Sequence, residues 1–272
     1  MSDFIYAIIA GIIEGITEFL PVSSTGHLII FSHYSEYDEF KKNSFEMIIQ
    51  LAAILSIMII YKDRVKGMFN FSSSNNFSGL NAWKLLIVAS LPTLIIGYLL
   101  KDYIKPFKPE VALVGLVLGA IVMLLVEKFK PTSKVISLDD LTVRQATFVG
   151  IAQSFCLLTG MSRSAMTISG GLCLGMTRRL AAEFSFIAAL PIMLVVSAYE
   201  IYGLFFNDSK SLFTLHDLYI FVTGFFVSFI ISYFVVKLFL KFLENFSLNI
   251  FAYYRLLVAP IFYYLIFHTN II

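Results

Sequence analysis

The chain has 272 residues, of which 58% are hydrophobic and 14% charged, with a formal net charge of +2. Soluble domains carry about 25% charged residues, so this chain has too little polar side chain to cover a water-facing surface. Its repeated long apolar runs mark an integral helical membrane protein, and the lack of a long basic run or nucleic-acid motif sets nucleic acid aside as a partner.

No Lys or Arg precedes Lys41, so the start lacks the positive region of a cleavable leader. The first apolar segment, 4–20, is therefore expected to be retained. It carries Glu14 and Glu18, which are four apart and share one helix face. Two like charges inside an apolar segment need a cation to hold them, or one must carry a proton. Ionisable groups at such depth are a functional-site hypothesis by default. The polar turn Pro21-Val22-Ser23-Ser24-Thr25-Gly26-His27 follows directly. Further apolar segments lie at 45–61, 82–100, 111–127, 142–158, 182–206, 217–240 and 248–268. Two shorter apolar pieces, near 27–34 and 164–176, cannot span a bilayer core of about 30 Å. Residues 62–81, with Ser72-Ser73-Ser74-Asn75-Asn76, read as an exposed loop. Pro106, Pro109 and Pro131 punctuate other loops, and Pro92 and Pro191 predict a kink or break inside apolar segments.

A weak internal repeat is visible. Gly11-Ile12-Ile13-Glu14 resembles Gly150-Ile151-Ala152-Gln153 at an offset of 139, and the same offset relates Ser23 to Ser162. It aligns the first polar turn with Gly160-Met161-Ser162-Arg163-Ser164. Neither turn can face lipid, so each is expected at the tip of a re-entrant hairpin. Of the Lys and Arg outside segments and hairpins, ten (Lys62, Arg64, Lys66, Lys128, Lys130, Lys134, Arg178, Arg179, Lys237 and Lys241) fall on one side and six (Lys41, Lys42, Lys101, Lys105, Lys108 and Lys210) on the other, which favours the first side as cytoplasmic. The first hairpin then dips from outside and the second from inside. The expected fold is an all-α polytopic membrane protein, a single membrane domain over 1–272. It is an inverted-topology repeat, about 1–128 and about 140–272, with about six spanning helices and two re-entrant hairpins.

Two tips meeting near the midplane pool specific chemistry. The first brings Glu14, Glu18, Ser23, Ser24, Thr25 and His27; the second brings Gln153, Ser162, Arg163, Ser164 and Thr167. Paired carboxylates suit a divalent cation, and an arginine fork, hydroxyls and free amides at broken helix ends suit phosphate oxygens. Together they read as phosphate-ester or anhydride chemistry.

Glu-Gly-Ile-Thr-Glu-Phe-Leu-Pro-Val-Ser-Ser-Thr-Gly-His at 14–27 closely resembles the first motif of the undecaprenyl-diphosphatase family, the bacitracin-resistance proteins. Gly-Met-Ser-Arg-Ser-Ala-Met-Thr-Ile-Ser-Gly-Gly at 160–171 resembles the second, departing from it at Thr159, where proline is usual, and at Ala165, where glycine is usual. The resemblance implies hydrolysis of undecaprenyl diphosphate to the monophosphate in the bacterial plasma membrane, with the site open to the outer, periplasmic side. It implies dependence on Mg²⁺ or Ca²⁺. It makes Glu14 and Glu18 the metal-binding pair, Ser24 and His27, with Glu18, the catalytic group, and Ser162, Arg163 and Thr167 the diphosphate-binding group. Bacitracin enters only indirectly, through the shared lipid, and a homodimer stays open. Ser24 attacking with His27 as base, His27 attacking, and water attacking all remain available, with Ser24 favoured because it shares a turn with His27. A polyprenyl-phosphate flippase using the same midplane pocket is the alternative.

Other polar residues have plainer readings. Ser23 and Thr25 satisfy the turn's backbone, and Gln153 is expected to hydrogen-bond across the hairpins. Glu46 and Glu183 are read as holding the hairpins, and Arg178 and Arg179 as interface anchors. Arg255 is expected to pair with Glu244 or snorkel, outside the site. His33, His216 and His268 at segment ends, and Cys156 and Cys173 in helix packing, carry no chemistry in this reading.

Overall fold

The computed structural model describes residues 3–33, 39–72, 76–100, 109–206 and 214–268. Of the lysines and prolines used above, Lys101, Lys105, Pro106, Lys108 and Lys210 lie outside these residues, as do Ser73-Ser74-Asn75 and the side chains of His33, Lys41 and Lys42. The described chain is helical: α1 (Asp3–Thr17), α2 (Ser24–His33), α3 (Glu39–Ile60), α4 (Lys62–Met68), α5 (Gly79–Leu99), α6 (Pro109–Phe129), α7 (Val143–Ser154), α8 (Arg163–Cys173), α9 (Arg178–Phe206), α10 (Leu215–Asn245) and α11 (Asn249–His268).

Five helices, α5, α6, α9, α10 and α11, are long and apolar enough to cross a membrane. The segment from Ser44 of α3 joins them as a sixth when it is counted with α4, which turns from it by 87°. This is an all-α, multi-pass membrane protein. Leu80, Ile95, Leu118, Leu125, Tyr219, Phe226, Phe234 and Leu257 face outward, as lipid contact requires. The other helices, α1, α2, α7 and α8, are too short to span and form two antiparallel hairpins among the long ones.

Contacts between helix ends sort them into two groups. Asp3 at the start of α1 meets His216 at the start of α10. At the other end, Glu127 of α6 accepts both a bidentate Arg178 from α9 and the Leu248 backbone N–H before α11. Arg64 of α4 reaches Asp139, and Arg179 pairs with Glu244 of α10. Arg178 and Arg179 are thus paired cations that tie helix ends together, a stronger role than interface anchoring. The first hairpin opens on the Asp3 end and the second on the Glu127 end.

Local sequence sets the helix starts. Thr142 with Gln145 and Thr214 with Asp217 form reciprocal capping boxes before α7 and α10. Pro109 begins α6, where a missing N–H costs nothing, so it is a helix starter and not the loop punctuation expected. No break appears at Pro92 or Pro191; α5 and α9 run through both, since neighbouring helices shelter the one carbonyl each proline frees.

Residues 62–81 depart most from expectation. They hold α4 and then a segment folded back onto the bundle: Met68 and Phe77 are buried. Asn76 donates to the carbonyls of Asp139 and Leu141, and the Phe77 N–H donates to the Asp139 carboxylate. Three apolar side chains spaced among charges, Val65, Met68 and Phe77, outweigh the polar composition.

Small residues let the hairpins approach the long helices. On α1, an added Cβ at Gly11 would stand 2.9 Å from the Gly224 carbonyl of α10, and one at Gly15 would stand 2.7 Å from Ile231 Cβ. On α7, a Cβ at Gly150 would stand 2.4 Å from the Ala89 carbonyl of α5. Each first arm therefore rests backbone to backbone on a helix from the other half of the chain.

Candidate active site

The two hairpin tips meet inside the bundle. Each return arm starts from a serine in the left-handed region, Ser23 at φ 73° and Ser162 at φ 70°. That conformation is strained for a side-chain-bearing residue and persists only where its surroundings impose it. Both serines also cap the helix they precede: Ser23 Oγ accepts from the Gly26 N–H at 3.2 Å, and Ser162 Oγ from the Ala165 N–H at 3.3 Å. The sharp turn places the next residue, Ser24 in one tip and Arg163 in the other, at the start of a helix and on the shared cavity.

The cavity holds about 310 Å³ and is lined by both tips, with Gln50 of α3, Thr93 of α5 and Cys156 between them. Its centre is the Glu18 carboxylate. Ser24 Oγ donates to Oε2 at 2.6 Å and Arg163 Nη2 donates to Oε1 at 3.0 Å. This ion pair joins the tips, with both side chains nearly buried. Arg163 also donates through Nη1 to the Ser185 carbonyl at 3.2 Å, which leaves Nε–H buried and without a partner. A buried, unpaired guanidinium N–H costs free energy unless an acceptor arrives, and phosphate oxygens are its natural acceptors. Ser164 Oγ adds a second bridge between the tips, donating to the Leu20 carbonyl at 3.1 Å.

Other expected residues sit elsewhere. His27 does not bond Ser24. Its Nδ1 lies 2.8 Å from the Ser23 carbonyl and its Nε2 2.8 Å from the Tyr254 hydroxyl, with its ring stacked on Tyr254 and edge-on to Phe262. One helical turn separates Ser24 and His27 in sequence, but their side chains diverge around it. Thr167 is fully buried and bonds the Arg163 carbonyl and the Ser185 hydroxyl; it braces the residue that holds Arg163 and does not line the cavity. Gln153 bonds Thr93 of α5 at 3.2 Å, so it ties its hairpin to a spanning helix and not to the other hairpin. Glu46 does hold its hairpin, accepting from Ser32 of α2 at 3.1 Å.

Arg255 is the largest correction. It is fully buried, and Glu244, its expected partner, pairs with Arg179. Its guanidinium instead donates to carbonyls of Pro21 in one tip, Gly160 and Met161 in the other, and Gly115 and Leu116 of α6. A cation within an apolar segment was the signal available in the sequence; its partners, being backbone carbonyls, leave no trace in side-chain chemistry. Cys156, read as packing, lines the cavity.

The donor set suits a hard cation. Glu14 is buried with Oε1 unpartnered, and Gln153 Oε1 is likewise buried and unpartnered. No cluster of three or more His, Cys, Asp or Glu occurs among the described residues. One or two carboxylates, completed by water and substrate phosphates, is how Mg²⁺ is commonly held.

The sequence pattern of the family described as bacitracin resistance protein BacA matches residues 7–261. The chain belongs to this family. Family members called undecaprenyl-diphosphatase are 43% identical over 266 residues in Nitratidesulfovibrio vulgaris and 44% identical over 268 residues in Desulfovibrio desulfuricans, each covering 97% of this chain and 98% of the relative. Undecaprenyl-diphosphatase 1 of Bacillus cereus is 41% identical over 265 residues, covering 96% and 98%. These family names are those of a phosphatase and lend the transport alternative no support.

Proposed function

We propose that this chain hydrolyses undecaprenyl diphosphate to undecaprenyl phosphate and phosphate, recycling a lipid carrier of cell-wall polymer synthesis. The observation that carries the assignment of residues is the Glu18 carboxylate, which takes the Ser24 hydroxyl on one oxygen and the Arg163 guanidinium on the other. Arg163, with its free Nε–H, and Ser162 bind the terminal phosphate. Ser24 Oγ attacks phosphorus as its proton passes to Glu18; the bond from phosphorus to the bridging oxygen breaks, and the lipid monophosphate leaves. Water then cleaves the phosphoserine: its oxygen bonds phosphorus, the phosphorus–Oγ bond breaks, Glu18 returns the proton it holds to the departing Ser24 oxygen, and the protons of the water leave with the released phosphate. Arg163 neutralises charge growing on the phosphoryl oxygens. His27 acts at a distance from this step, fixing the Ser23 turn through its carbonyl.

Glu14 and Glu18 would hold a Mg²⁺ or Ca²⁺ ion, and the unpartnered amide oxygen of Gln153 is a further neutral donor that could serve it. When bound, the ion supplies a further positive charge against the diphosphate. The fold is an inverted repeat of residues about 1–128 and 140–272, and the cavity opens to the outer face of the plasma membrane. Any effect on bacitracin follows from removing the diphosphate lipid that the two share.

Phosphate release from undecaprenyl diphosphate by purified protein tests this reading. Turnover is expected, with loss on chelation and in Arg163→Ala. Full turnover in Arg163→Ala would remove the assigned site.

A further inference from the structure

Arg255 has no role in the reaction proposed above, yet it is the most completely bonded side chain beside the site. Its five donated bonds, at 2.7 to 3.4 Å, all end on peptide carbonyls. Its remaining contact is Met123 Sδ at 3.9 Å. No carboxylate is among them. Three of the carbonyls, those of Pro21, Gly160 and Met161, belong to the breaks between helices, where no helical N–H meets them. The Met161 carbonyl loses its usual partner because the Ala165 N–H is taken by Ser162 Oγ. The other two, at Gly115 and Leu116, are on α6, against which both tips lie.

We propose that Arg255 is a positioning residue for the reaction: it clamps the Ser24 tip and the Arg163 tip to one another and to α6. This rests on the reading of the two tips as halves of one site. Only arginine can do it here. A guanidinium offers five N–H groups in a rigid plane, whereas an ammonium offers three on a single nitrogen. Space for that plane is reserved by Gly119, where an added Cβ would stand 2.3 Å from Arg255 Nη2 and 2.8 Å from the Met161 carbonyl. With every donor committed to backbone, Arg255 does not touch the phosphate itself; it sets the separation between the attacking hydroxyl and the group that grips the phosphate.

The test uses the full-length protein in detergent, with Arg255→Lys and, should that variant not fold, Gly119→Ala, which displaces the guanidinium while keeping it. Asp139→Asn is the control, since that carboxylate holds Arg64 and the Phe77 N–H at the helix ends, lines no part of the cavity, and its loss lowers stability alone. Amide hydrogen exchange at 20–27 and 160–166 is expected to accelerate together, about tenfold, with α10 unchanged. With undecaprenyl diphosphate, kcat is expected to fall about a hundredfold at nearly constant KM, while Asp139→Asn keeps its kcat per folded molecule. Exchange that rises evenly in all helices, with kcat per folded molecule intact, would overturn the proposal. So would wild-type behaviour of Arg255→Lys in both measurements. Tips that loosen together in a protein whose wild type does not hydrolyse the lipid would support the clamp and sink the proposed reaction.

Discussion

Glu18 separates the roles of its neighbours by which oxygen each one reaches. Ser24 is on Oε2 and Arg163 on Oε1, so a change at either leaves the carboxylate half satisfied. Glu18→Gln keeps the shape but cannot take the hydroxyl proton, and should cost about 10²–10⁴ in kcat. Arg163→Lys keeps the charge but loses the planar fork, and should cost about 10²-fold, measured as phosphate release. Thr167→Val is expected to act differently. It frees the Ser185 hydroxyl behind Arg163 and should raise KM more than it lowers kcat, because the guanidinium loses its brace and not its donors. At this scale the sequence was legible where a motif carries side-chain chemistry: Glu18, Ser24, Ser162 and Arg163 all line the cavity between the tips, with Glu14 buried one turn earlier on α1. It was illegible where the partner is backbone or distant in sequence. Arg255 bonds carbonyls, Thr167 bonds Ser185, and His27 bonds a tyrosine 227 residues away. Spacing within one motif does not encode any of these.

At the scale of elements, glycine contact and end pairing decide stability. Gly15→Ala pushes a methyl into Ile231 and the Ser228 carbonyl, so α1 must back away from α10; a loss of about 1–3 kcal/mol in unfolding free energy is expected. Glu127 receives Arg178, Lys130 and the Leu248 N–H. Glu127→Ala strands those donors and should cost about 2 kcal/mol, less than a fully buried pair because Arg178 is still partly wet. Outside the spanning helices, partial burial pushes the Asp139 carboxyl up, but the Phe77 N–H, Arg64 and Ser137 outweigh it and leave it below the usual carboxylate value. A lowered folded-state value stabilises above the unfolded value, about 3.9, and that stability fades as pH falls through the folded one. The melting temperatures of wild type and Asp139→Asn should therefore differ near neutrality and converge below about pH 4. Spanning helices were readable because length and apolarity define them. The 62–81 stretch was not, because two buried apolar side chains and a half-buried valine are too few to show against serine and asparagine.

Across the whole molecule, the halves are not neighbours but partners. The first arm of one hairpin lies on α10, and the first arm of the other lies on α5, through glycines at equivalent places, Gly11 and Gly150. Glu18 of the first half closes on Arg163 of the second. A shared offset between the halves was visible in the sequence, but the exchange of arms was not, because similarity says which segments correspond and not which ones touch. The exchange has a consequence during synthesis. Residues 3–17 leave the ribosome long before residues 215–245, on which they come to rest. The newborn first hairpin carries Glu14 and Glu18 without Arg163 until residue 163 is made, and its docking helix follows later still. Docking of the first hairpin is therefore expected only after translation of the tenth helix.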